Sequence, residues 1–151
     1  MGRLRLARLL VLFLALGLVA SACSKKAETT GGGSPSASGG ASGSGQITIG
    51  SDKANNKGTA SISGKEDFSV EIDSFYFKPT VLKGTAGQEI KLELENESST
   101  LHNFTLADQK VDQDIQAGQK VEVTVKLPAS GFLEFFCKYH KASGMVGELS
   151  V

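Results

Sequence analysis

Leu133-Glu134-Phe135-Phe136-Cys137-Lys138-Tyr139-His140-Lys141-Ala142-Ser143-Gly144-Met145 is the stretch on which the fold turns. Its first half alternates with period two. Leu133, Phe135 and Cys137 share one face and Glu134, Phe136 and Lys138 the other, the pattern of a strand with one side in a core. Cys137 therefore points inward at the strand's end. A loop from Lys138 to Gly144 then returns the chain to Met145, and Val146-Gly147-Glu148-Leu149-Ser150-Val151 reads as a closing strand.

Upstream, the same alternation recurs in Phe68-Val70-Ile72, in Phe75 and Phe77 before Lys78-Pro79, in Ile90-Leu92-Leu94 and in Val121-Val123-Val125. Charged and hydroxyl residues occupy the intervening positions. Turn residues at Lys83-Gly84, Ala86-Gly87, Ala117-Gly118 and Ser130-Gly131 space the runs as in a sandwich, and no useful length has helical period. The expected fold is all-β, a small antiparallel β-sandwich.

One loop thus carries Cys137, His140 and Met145, and a histidine from elsewhere, His102 in Leu101-His102-Asn103-Phe104, can close on it. A thiolate and two imidazoles in a trigonal set, with a weak axial thioether, are the ligands of a blue-copper electron-transfer centre. Zinc prefers tetrahedral Cys, His or carboxylate donors and gains little from a thioether. Soft thiolate plus thioether favours one copper ion, with His102, Cys137 and His140 equatorial and Met145 axial.

The rest of the 151 residues bears on where such a site would work. Arg3, Arg5 and Arg8, an apolar run from Leu9 to Val19 and the small residues Ala20-Ser21-Ala22 read as an export signal over 1–22. The run is short for a membrane span, which takes roughly 20 apolar residues. Val19-Ala20-Ser21-Ala22-Cys23 resembles a bacterial lipobox, so Cys23 is expected to be lipidated after cleavage. Two acyl chains would hold the protein to the outer face of a cell membrane without spanning it. No adjacent arginine pair is present, so general secretion, with metal loaded outside, is expected.

Loss of the signal leaves thirteen of the sixteen basic side chains against sixteen acidic ones. A mildly acidic chain with no Lys/Arg stripe is a poor match for phosphate, and nucleic acid is not an expected partner. Of the two cysteines, Cys23 goes to lipid and Cys137 has no disulfide partner. A free thiol in an oxidising compartment needs burial or a metal to protect it.

Residues 23–64 form a Gly/Ser-rich tether that cannot bury enough apolar surface to fold. About 40 flexible residues reach roughly 35 Å on average, enough to swing a domain toward partners in the same membrane. Between Gln46 and Gly64, Ile47, Ile49 and Ile62 allow either an edge strand or loose chain. The folded domain is assigned to 65–151.

With these residues in view, the region from about Glu66 to Val151 resembles a cupredoxin. Its Cys-x2-His-x4-Met spacing is similar to that of plastocyanin and pseudoazurin. The resemblance implies a Greek-key sandwich, a monomer, and redox proteins at the membrane as partners. It also implies that Asn103 ties the two ligand loops by hydrogen bonds, and that His140 is the exposed edge through which electrons pass. Tyr139 departs from plastocyanin, which has proline there. Lys138 and Lys141 flank the site as either a rim attracting an acidic partner or a solvated face.

Four protein ligands leave no position for substrate, and two histidines with one loop cysteine cannot build a multicopper or binuclear oxidase site. The chain is expected to be an electron carrier rather than an enzyme. The alternative is a copper storage, delivery or resistance protein that does not shuttle electrons.

Overall fold

The computed structural model describes residues 45–151. The export signal, the lipidation site Cys23 and the tether up to residue 44 lie outside the described residues. Among those described, twelve strands and two single 3-10 turns make up the regular structure.

Two sheets face each other across one core. The first has the order β10 (Lys120–Lys126), β7 (Glu89–Asn96), β4 (Asp67–Asp73), β5 (Tyr76–Lys78). The second runs β3 (Thr59–Ser61), β6 (Val81–Lys83), β12 (Val146–Ser150), β11 (Phe132–Phe136), β8 (His102–Leu106), β9 (Val111–Ile115). Period-two patterning decides the faces. In β7, Ile90, Leu92, Leu94 and Asn96 are buried, while Glu89 and Lys91 are exposed. Ile90, Leu92 and Leu94 join Val70, Ile72, Phe104, Leu106, Ile115, Phe135 and Leu149 in a single cluster that also contains Cys137 and Met145.

The β-sandwich is as expected, but its sheets are mixed rather than purely antiparallel. β4 pairs with β7, β6 with β12 and β3 with β6 in parallel. Between β4 and β7 the chain leaves its sheet through β6, and a connection of that length lets the returning strand run the same way. Alternation reports which face a residue takes and not the direction of its neighbour.

Residues 45–61 carry three strands, so the folded domain includes this stretch rather than beginning at 65. β1 (Gly45–Ile49) and β2 (Asp52–Asn56) form a hairpin, whose Ile49 and Ala54 are buried against Val146, with Ile47 and Phe136 beside them. β12 is consequently buried on both faces. Ile62 enters the main core. Three isoleucines among Ser, Asn and Lys gave too thin a pattern to announce this. Phe136 and Val146, apolar residues on the outward face, were the clue that something covers it.

Beneath the ligand end of the sandwich, Phe77, Phe104 and Phe135 interlock, with centroids 5.0 Å apart for Phe104–Phe135 and 5.1 Å for Phe77–Phe135. The Phe77–Phe135 contact is edge-on, the arrangement that ring quadrupoles favour. Gly147 makes room for it, since a Cβ there would run into the Phe135 ring and stand 2.7 Å from the Thr80 carbonyl.

Candidate metal centre

Neighbouring strands deliver the donors. His102 opens β8, Cys137 immediately follows β11, and these two strands pair at Phe136 and Thr105. The loop after Cys137 is tied to itself by backbone bonds. His140 N–H donates to the Cys137 carbonyl at 3.0 Å, Met145 N–H to His140 at 3.2 Å, and Cys137 N–H to Met145 at 3.0 Å. A 3-10 turn at Lys141–Ser143 ends on Gly144, whose φ of 87° is left-handed and suits glycine.

His102, Cys137 and His140 come together so that one donor atom from each lies within 4.8 Å of the others. Cys137 Sγ lies 3.4 Å from His140 Nδ1 and 4.0 Å from His102 Nδ1. A trigonal ion with metal–donor bonds of about 2.0 to 2.3 Å would hold such atoms roughly 3.7 Å apart, so the spacing fits one ion. Met145 is fully buried in the same cluster as Cys137. Thiolate, two imidazoles and a neighbouring thioether form a soft donor set suited to copper, the cofactor this centre takes.

Burial shapes the electrostatics. His102 is fully buried, and its Nε2 has no hydrogen-bond partner among the described residues. Desolvation pulls its pKa below the usual imidazole value, the neighbouring His140 adds to this, and Asp73 opposes it. The neutral ring, the form that binds metal, is thereby favoured. His140 is half-buried at the surface.

Asn103 joins the segment of His102 to that of Cys137 by hydrogen bonds. Its Oδ1 accepts from Lys138 N–H at 3.4 Å and from Thr105 Oγ1 at 2.6 Å, and its Nδ2 donates to Asp112 at 2.7 Å and Asp114 at 2.9 Å. Those carboxylates also hold Lys138 Nζ at 2.8 and 3.0 Å. The lysine contact first, then Asn103, keeps both aspartates below the usual carboxylate range. Lys141 lies likewise between Glu134 at 2.7 Å and Asp52 at 3.1 Å. Each rim lysine is outnumbered by carboxylates, so neither is a free positive charge. Tyr139, exposed, donates its hydroxyl to Asp114 at 2.9 Å.

Two neighbours of the site were not foreseen: Asn55 had no signal in the sequence, and Phe75, expected to alternate with Phe77 on the core face of a strand, lies instead in the turn before β5. Phe75, exposed, stands with its ring 4.8 Å from that of His140. Asn55, from the hairpin, hydrogen-bonds to Ser143 of the ligand loop at 2.8 Å. Both lie where only the folded chain brings them near the ligands.

Residues 45–151 match the family model described as a cupredoxin-like domain. Among solved structures, the chain is similar to auracyanin B at 22% identity and a TM-score of 0.48, covering 58% of this chain and 88% of that one. It is similar to auracyanin A, a "blue" copper protein from the green thermophilic photosynthetic bacterium Chloroflexus aurantiacus, at 21% identity and TM-score 0.45, over 56% and 98% of the two chains. A chain of a heme-copper terminal oxidase shows 15% identity and TM-score 0.48 over 58% of this chain, which spans 65% of the oxidase chain's length. No curated protein matches the sequence.

Proposed function

The chain belongs to the cupredoxin-like domain family, and from that premise we propose that it carries single electrons between redox proteins outside the cytoplasm, tethered to the membrane by lipid at Cys23. The observation that supports this most is the convergence of Cys137 Sγ and both histidine Nδ1 atoms at the end of the sandwich. Copper, when bound, supplies the one-electron couple.

The protein's own residues do the rest. Cys137, His102 and His140 would hold the ion, and the buried Met145 would offer its thioether as a further soft donor. Burial of Cys137, His102 and Met145 keeps water away. A donor set fixed by β8, β11 and the closing loop limits rearrangement as the charge changes. His140, half-exposed and bordered by Phe75 and Tyr139, is the edge through which an electron leaves. Its partner meets a rim on which carboxylates outnumber the lysines, so a cationic or neutral docking face fits better than an acidic one. No substrate position is needed, and the chain acts as a carrier and not as an enzyme.

Visible absorption and electron paramagnetic resonance after Cu(II) addition, beside Cys137→Ser, test the reading. An intense blue band, lost in the variant, together with a defined midpoint potential and fast electron self-exchange, is expected. A colourless product would sink it. Slow self-exchange with ready copper transfer to an acceptor would replace it with copper storage or delivery.

A further inference from the structure

We propose that Asn55 is a positioning residue that locks the ligand loop and the Phe75 turn in place before a metal arrives; the inference rests on the copper site proposed above. Asn55 sits in β2, remote in sequence from every ligand. Its Nδ2 donates to the Ser143 carbonyl at 2.8 Å and to the Phe75 carbonyl at 2.9 Å. Its backbone N–H donates to the Gly144 carbonyl at 2.8 Å. The anchor is itself held, because Thr80 Oγ1 donates to the Asn55 carbonyl at 3.0 Å and Gln46 Nε2 to Asn55 Oδ1 at 3.2 Å.

The chemistry calls for an amide. One Nδ2 has two N–H groups, and here both are used on carbonyls of different segments. The Gln46 contact sets which way the amide faces. Gly144 closes around the same side chain: a Cβ there would stand 2.9 Å from Asn55 Oδ1. Ser143 and Gly144 lie between His140 and Met145, so fixing their carbonyls fixes both ligands relative to Cys137.

Phe75 gives the second line of support. Its φ of 63° is left-handed, an outlier for a bulky aromatic that persists only where surroundings impose it. Two things hold it here: the bond from Asn55 to its carbonyl, and its ring against His140 at 4.8 Å. One side chain thus joins the loop carrying two ligands to the aromatic ring beside one of them.

The test compares the full chain with Asn55→Ala and with Asn55→Asp, which keeps the size but turns lone pairs toward two carbonyls. In copper-free protein, amide hydrogen exchange at Gly144 and Met145 should quicken at least about tenfold while β7 amides keep their protection. In copper-loaded protein the thiolate band and the midpoint potential should shift. Gln46→Ala, which removes only the group orienting the amide, should give the same change at smaller size and serves if Asn55→Asp weakens the sheet. Exchange and spectra matching the parent in all variants would overturn the proposal. A parent without a copper–thiolate band would overturn the function instead, while exchange in the metal-free chain still decides the clamp.

Discussion

Asn103 accepts the Lys138 backbone N–H at 3.4 Å, so the residue after the buried histidine holds the residue after the buried thiol. The bond is long, but it does not act alone. Asp112 and Asp114 take the Asn103 amide on one side and the Lys138 ammonium on the other. Two segments far apart in sequence are joined through backbone, amide and ion pair, and the donors of the centre are placed by the fold.

Asn103→Ala breaks that junction at its centre. It leaves Lys138 N–H unpaired and removes the amide that helps hold Asp112 and Asp114. Partners of this kind are worth about 10- to 100-fold in metal affinity. Competition titration with a chelator of known strength should show Cu(II) affinity falling within that range. A change under twofold would mean that the loop's own backbone bonds suffice.

Lys138→Gln tests the rim. The sequence allowed Lys138 and Lys141 to attract an acidic partner, whereas the structure surrounds each with two carboxylates. Removing one ammonium uncovers Asp112 and Asp114. Reduction of the copper-loaded protein by a cationic hexaammineruthenium complex should accelerate about two- to fivefold at low ionic strength, and the gain should vanish in high salt. Slower reduction would restore the lysine as an attractive charge.

Gly147→Ala probes the packing beneath the site. The added methyl group meets the Phe135 ring and the Thr80 carbonyl, neither of which can move without disturbing the phenylalanine cluster. Overpacking of this kind costs about 1 to 3 kcal/mol, which denaturant unfolding should register as a lower midpoint. An unchanged midpoint would show that Phe135 has room to turn.

The candidate donors stood out in the sequence because the chemistry is concentrated: Cys137, His140 and Met145 share one loop, and the one other histidine, His102, lies on a separate strand that the fold brings beside Cys137. Strand faces were readable because Ile90, Leu92 and Leu94 alternate with charge. Parallel pairing of β4 with β7 was not, since alternation is blind to direction. Nor was the hairpin, whose apolar side chains are few and gain meaning only from Val146 and Phe136 beneath them. Asn55 left no trace either, and Phe75 read as a strand residue beside Phe77 rather than as a turn residue beside His140. Their roles consist of hydrogen bonds to backbone carbonyls and a ring contact, which no spacing in the chain encodes.

Copper-free protein should lose stability on mild acidification because of His102. Burial, then His140, holds its folded pKa below the unfolded value of about 6.5. As pH falls through that value the unfolded chain takes up a proton that the folded chain refuses. The stabilisation is therefore complete above about 6.5 and is lost below it. Urea titrations from pH 8 to 5 should show this fall, and His102→Gln should flatten it. Equal stability at both ends of the range would mean the buried ring accepts its proton without penalty.

A chain cut to begin at 65 should be markedly less stable than one beginning at 45. The cut removes Ile49 and Ala54, which cover Val146 and Phe136, and takes Ile62 out of the main core. Burying one isoleucine side chain is worth about 1.5 to 3 kcal/mol, so the apolar loss alone amounts to several kcal/mol. Edge pairing goes too, because β3 no longer protects β6. The hairpin also carries Asn55, so the ligand loop should loosen with the body of the fold. Thermal unfolding of the shorter chain should begin at lower temperature, with dye binding to the uncovered face of β11 and β12. An equally stable short chain would make the hairpin an ornament on a sandwich already complete without it, and Val146 and Phe136 would then have to find another cover.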